Sequence, residues 1–262
     1  MKALGISLWT ESLKIRKSKM FFITLSLFAF VGVMMGLLVV LGRHPEIAGR
    51  SAAMGAKASL VGSADWPSFW NLLNQVILSL GMLGFGVAAS WVFGREWADR
   101  VIKDLLALPV SRPTIVLAKM IVTAIWCILL AALMWTVGLL AGVAFHTPHW
   151  SNQAALHGFS VFMTCSLLTM LLCAPVAFVA SLGRGYLLPI GFVLLTLIMT
   201  NLVAVGAPDF APYFPWAFPA LISGVAGQAV PHPNAGSAII FIATVIAGYA
   251  GTVLWWRYAD QT

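Results

Sequence analysis

Apolar residues run almost unbroken through six stretches of the chain: Phe21–Leu41, Phe69–Phe93, Met120–Phe145, Phe159–Leu182, Leu187–Val205 and Ser237–Trp256. A bilayer's hydrocarbon core, about 30 Å thick, needs about 20 apolar residues per helical crossing, and each stretch reaches that length. Lipid offers no partner to open backbone, so each stretch is expected to be helical. The pattern predicts an all-α polytopic membrane protein with six transmembrane helices in a single domain over residues 1–262.

Between the runs the pattern changes to helical amphipathicity at two places. Within residues 1–19, Ser7, Thr10, Glu11, Lys14 and Lys17 share one face, and Leu4, Ile6, Leu8, Trp9, Leu13 and Ile15 occupy the rest. Such a helix lies in the membrane plane; Arg16 interrupts its apolar side and is expected to snorkel. The second place is residues 95–108, where Trp97, Val101, Asp104/Leu105 and Leu108 recur at steps of three and four. Glu96 and Asp99 suit its first turn, and Pro109 ends it. This short helix either docks into a groove on a partner or lies on the headgroups. A third segment, residues 211–227 (APYFPWAFPALISGVAG), is apolar but too short and too broken by proline to span.

Composition supports the membrane class: 61% of residues are hydrophobic and 9% charged, against roughly 25% charged in soluble domains. The net charge of +7 does not indicate nucleic acid, because the basic residues sit at the edges of apolar runs rather than on one folded face. They set direction instead. Lys2, Lys14, Arg16, Lys17 and Lys19, then Arg95, Arg100, Lys103, Arg112 and Lys119, and finally Arg184 and Arg257 share one side. Only Arg43, Arg50 and Lys57 fall on the other. Both termini are therefore expected in the cytoplasm. The basic N-terminus leads into a run too long for a signal peptide and without a small-residue cleavage site, so it is read as a retained anchor.

As bounded above, the six spans contain no Asp, Glu, Lys or Arg. Proton-coupled carriers need ionisable groups at membrane depth, so energy for any transport is expected to come from another polypeptide. Uncharged polar residues are present. Asn71, Asn74, Gln75 and Ser79 form a stripe on the second span, and Thr196, Thr200 and Asn201 a shorter one on the fifth. Amides in hydrocarbon need partners, so the stripes line either a translocation path or a helix interface. Thr244, Gly248 and Gly251/Thr252 on the sixth span have the spacing of close packing.

No catalytic set assembles. Cys127, Cys165 and Cys173 lie within apolar runs as buried thiols. His44, His146, His149, His157 and His232 all map to the outer side, without the acid or thiolate pattern of a metal site. No phosphate-binding GxxxxGK[ST] loop occurs.

The stretch FGREWADRVIKDLLALPVSRPTIVLAKM (Phe93–Met120) resembles the first cytoplasmic loop of ABC-2-type permeases, the membrane subunits of a class of ABC exporters. The family's acid after the second span maps to Glu96, its Leu-rich helix to Leu105–Leu108, its turn to Pro109–Arg112, and its lysine to Lys119. The likeness covers the whole chain. The N-terminal amphipathic helix is similar to the family's connecting helix, and residues 211–227, with Tyr213, Phe214, Pro215 and Trp216, resemble its outer re-entrant hairpin. The other reading of that segment is an aromatic interface belt.

The resemblance implies a coupling helix over 95–108 that meets an ABC ATPase subunit through Arg95, Glu96, Trp97, Asp99, Arg100, Val101, Lys103, Asp104, Leu105 and Leu108, with Arg112 beyond it. ATP and Mg would reside on that ATPase, with no cofactor on this chain. It also implies a second permease copy or a sibling permease, membrane lipids as neighbours, and a bacterial cytoplasmic (inner) membrane location. The expected cargo is amphipathic or hydrophobic: an antimicrobial peptide, a drug or a lipid. Two alternatives are an intramembrane lipid-modifying enzyme using the outer histidines and a non-transporting scaffold or sensor subunit.

Overall fold

The computed structural model describes residues 2–44, 46, 63–102, 110–225 and 230–258. Among the described residues, six helices are long and apolar enough to cross a membrane. In chain order the elements are α1 (Lys2–Arg16), α2 (Lys19–Arg43), α3 (Trp66–Ala98), α4 (Arg112–Ala144), α5 (Asn152–Leu171), α6 (Cys173–Leu182), α7 (Leu187–Gly206), a 3-10 helix (Pro208–Tyr213), α8 (Phe218–Ile222) and α9 (Ala235–Tyr258). The expected class and the six crossings are observed.

The crossing helices extend past their apolar runs, and two of the extensions bring charged residues into the centre of the fold. Asp65 caps α3 by accepting from the Ser68 amide at 3.0 Å, so that helix begins at Trp66 and continues past Phe93 to Ala98. Helix α4 starts at Arg112 rather than Met120. Glu96 and Lys119 therefore lie inside the crossing helices, which corrects the expectation of spans without ionisable residues. The run of hydropathy ends where charge begins, but a helix continues wherever its backbone bonds and side-chain partners do.

The fourth crossing is built from two helices. Pro175 lacks an amide hydrogen and its ring crowds the carbonyl of Leu171, so the helix breaks at Leu172 between α5 and α6. Helix α9 seats against this break. A Cβ at Gly248 would collide with backbone atoms of Ala174 and Pro175, which is the close approach that small residues permit. Thr252 is fully buried beside it, and the Trp256 indole donates to Ser181 Oγ at 2.9 Å. The small-residue pattern on the sixth span is thus a packing seam.

Helices α3, α4 and the α5–α6 pair form the centre, with more than half of their apolar windows buried, whereas less than a third is buried in α2, α7 and α9. The exposed faces are apolar: Leu187, Leu194, Leu195, Ile198, Leu202 and Val205 on α7. A helix apolar all round suits lipid rather than water. At one end, Trp70 is stacked on Trp135 and Trp66 at centroid distances of 4.6 and 4.9 Å. The opposite end carries α1 and most of the basic residues; it is called the basic end below.

Candidate functional site

At the basic end, α1 crosses the ends of α3 and α4 and is joined to them by charge. Lys119 is completely buried. Its Nζ donates to Glu96 Oε1 at 2.6 Å, to the Val92 carbonyl at 2.9 Å and to Glu11 Oε2 at 3.1 Å. Lys14 Nζ donates to Glu11 Oε1 at 2.6 Å and to Glu96 Oε1 at 3.0 Å. The result is two ammonium groups and two carboxylates in one neutral quartet linking three helices. Burial lowers the Lys14 pKa, but the Glu96 and Glu11 carboxylates outweigh it and hold the group above its ordinary 10.5. Such a quartet contributes little over an apolar core while it is intact, and removing one partner costs about 3–5 kcal/mol. Glu96 Oε2 is buried without a hydrogen-bond partner.

The sequence brought Glu96 forward as a partner-facing acid, whereas the structure turns it inward. Arg95, Glu96 and Trp97 belong to the last turns of α3 instead of a separate helix. The chain then turns at Asp99 and Arg100, the latter at φ 58°. Arg95 Nε donates to Asp99 Oδ2 at 3.0 Å, and its guanidinium lies 4.8 Å from the Trp91 ring centroid. Val101 is exposed and Ile102 buried. Lys103, Asp104, Leu105 and Leu108 lie outside the described residues, as does all of the expected coupling helix after Ile102. Arg112 opens α4 and donates to the carbonyls of Trp256 and Arg257 at 3.0 and 3.1 Å, where a cation offsets the C-terminal dipole of α9.

The turn at residues 183–186 packs beside this loop. A Cβ on Gly94 would come within 2.7 Å of the Gly185 carbonyl oxygen, so only glycine allows α3 and the turn to touch. Arg184, at φ 48°, places its guanidinium 5.1 Å from the Trp97 ring.

At the other end the two polar stripes meet. Gln75 and Ser79 of α3, Thr200 and Asn201 of α7, and Trp216 from the segment before α8 line one cavity of about 370 Å³. Thr200 Oγ1 and Asn201 Nδ2 donate to carbonyls one turn back on their own helix, at 2.7 and 2.9 Å. The Trp216 indole N–H is buried without a hydrogen-bond partner. Thr196 is buried and donates to the Val193 carbonyl.

The upper part of the α3 stripe faces elsewhere. Asn71 and Asn74, with His157 and Ser223, line a separate cavity of about 420 Å³, and Asn74 Oδ1 is buried without a partner there. The segment before α9 packs down on this end: Phe218 stacks on Phe241 at 4.7 Å, Phe214 and Pro215 are half-buried, and Tyr213 is exposed.

Sequence reasoning found both stripes and both charged loop residues. It missed that Glu11 and Lys14 complete a quartet with them, although an acid and a base three apart on the polar face of α1 were the available signal. His157 and Ser223 in the second cavity carried no such signal.

Comparison with known proteins fits this arrangement. A family model described as "ABC-2 family transporter protein" matches residues 7–201. The bacitracin transport permease protein BCRB of Bacillus licheniformis is 30% identical over 186 residues, covering 71% of this chain and 88% of that protein.

Proposed function

The chain belongs to the ABC-2 family of membrane transporters, and from that premise we propose that it is the permease subunit of an exporter driven by a separate ATP-hydrolysing subunit. It is a transporter component rather than an enzyme. In this reading both termini and the basic end face the cytoplasm of a bacterial inner membrane, as the distribution of Lys and Arg favours. Two permease units, identical or sibling, would share two ATPases carrying ATP and Mg.

The observation that supports the reading most is the quartet. Glu96 lies in the last turn of α3 and Lys119 in the early turns of α4, on either side of the loop that joins them, and these two residues are bound to each other and to α1. A force applied to that loop by ATPase closure is delivered to a joint of three helices. Buried charge pairs have few alternative arrangements, so the joint transmits displacement instead of absorbing it. Asp99 and Arg100, exposed at the start of the loop, would meet the ATPase, with the Arg184 turn beside them.

The cargo is proposed to be amphipathic, of the antimicrobial-peptide, drug or lipid class. The cavity between α3 and α7 supports this: amide and hydroxyl groups from both helices, Leu78, Leu197, Val225 and Trp216 among them, and no ionisable group in its lining. A bacitracin-like peptide, apolar with a few polar handles, is the first cargo to test. Residues 211–227 would act as its outer re-entrant closure.

The test is co-purification with a candidate ABC ATPase subunit from the same organism, comparing the wild-type chain with Asp99→Arg/Arg100→Glu and with a chain in which residues 99–108 are replaced by a Gly/Ser linker. Loss of ATPase association and transport in the linker chain is expected. Full transport by that chain, or transport driven by a proton gradient alone, would sink the proposal.

A further inference from the structure

A third cavity, of about 540 Å³, opens at the basic end beside the quartet, in the elbow where α1 turns into α2. Its cations are Lys14, Lys17 and Lys19 on the α1–α2 side and Arg95 on α3. Two of these are already committed. Lys14 is held by Glu11 and Glu96, and Arg95 is paired with Asp99, the lining carboxylate. Lys17 and Lys19 are exposed, and neither has an ion pair with any carboxylate among the described residues. The balance of charge in the cavity is therefore positive.

The remaining surface is amphipathic. Leu13, Met20 and Trp91 give an apolar flank, and Tyr186 and the Thr10 hydroxyl add polar groups. The Ser18 Oγ caps the start of α2 by accepting from the Met20 amide, fixing the elbow that holds Lys17 and Lys19 on either side. The cavity's height in the membrane is set by its walls. Helix α1, apolar on one face with exposed Ile6 and Trp9, is of the kind that lies at the headgroup level, and α2 starts its crossing from there.

We propose that this cavity is a binding site for the phosphate of an anionic lipid headgroup, with Lys17 and Lys19 contacting the phosphate and Leu13, Met20 and Trp91 receiving the first acyl carbons. The chemistry shared with a free phosphate ion is the paired ammonium groups; the apolar flank favours the lipid. The inference uses the proposed function only to say which leaflet supplies the lipid. A headgroup seated there touches the α1–α2 elbow and α3 together, so the lipid would brace the same joint as the quartet.

The full chain, purified in neutral detergent, is titrated with phosphatidylglycerol, with phosphatidylcholine and with inorganic phosphate, and retained lipid is counted by native mass spectrometry. Wild type is expected to prefer phosphatidylglycerol over phosphatidylcholine, and Lys17→Gln/Lys19→Gln to weaken that preference about thirtyfold, since each of the two lysines near an anionic surface contributes on the order of 1 kcal/mol. Arg16→Gln/Arg257→Gln, which removes equal charge outside the cavity, is expected to retain the preference. Melting temperatures of the variants verify that both remain folded. Equal retention of the two lipids by wild type, equal losses in the two double variants, or displacement of phosphatidylglycerol by millimolar inorganic phosphate would overturn the proposal. None of these readouts involves the ATPase, so a failed exporter assignment leaves the result interpretable.

Discussion

Lys119 Nζ lies 2.6 Å from Glu96 Oε1, although 23 residues separate them along the chain and a loop outside the crossings lies between. The pair closes the base of α3 and α4, and Glu11 and Lys14 of α1 complete it. The arrangement is neutral as a whole and charged at every member, so its behaviour depends on which member is removed.

Replacing one member leaves an uncompensated buried charge. Glu96→Gln and Lys119→Met are each expected to destabilise the purified protein by about 3–5 kcal/mol. The double variant removes one charge of each sign, so it is expected to lose clearly less than the sum of the two. Unfolding followed by fluorescence-detected size exclusion in detergent supplies the numbers, and strict additivity would mean that the two groups do not interact.

Lys14 is the member that reaches solvent, and its pKa is raised. Its contribution to stability is therefore fully present below the ordinary lysine value of 10.5 and is lost as pH rises through the higher folded value. Wild type should lose stability on passing above about pH 10.5, more steeply than Lys14→Met, while the two pH profiles run parallel between pH 7 and 9. Parallel profiles through pH 11.5 would count against the linkage.

Gly248 and Gly191 make opposite predictions. A Cβ at Gly248 meets the backbone of Ala174 and Pro175, while one at Gly191 meets nothing within 4 Å. Gly248→Ala is expected to cost about 1–3 kcal/mol as α9 is pushed off the α5–α6 break. Gly191→Ala, in the body of α7, is expected to gain about 0.5–1 kcal/mol from reduced chain entropy. Thermal melts of both variants decide the point, and similar shifts would show that α9 does not seat as described.

The outer cavity predicts a change in transport without a change in stability. Gln75→Leu and Asn201→Leu each remove an exposed amide lining the space. Cargo-stimulated ATP hydrolysis by the reconstituted complex should fall about fivefold for each, the loss of roughly 1 kcal/mol of hydrogen bonding, with melting temperatures unchanged. A fall in stability with cargo stimulation intact would reassign the stripe to helix packing.

Hydropathy and spacing alone determined the number of crossings, the helix at α1 and the packing role of Gly248, because each depends on the pattern within one segment. The separation of basic from neutral ends was equally local, resting on where Lys and Arg fall between apolar runs. Tertiary structure decided everything that depends on a partner from elsewhere in the chain. Glu96 read as a loop acid because its neighbours are polar, yet Lys119 and Lys14 draw it inside. Gln75 and Asn74 are adjacent on one stripe, but α7 faces the first and α5 the second, so they enter different cavities. A linear pattern gives each residue's face on its own helix; what that face meets is set by how the helices pack, and only the folded chain contains it.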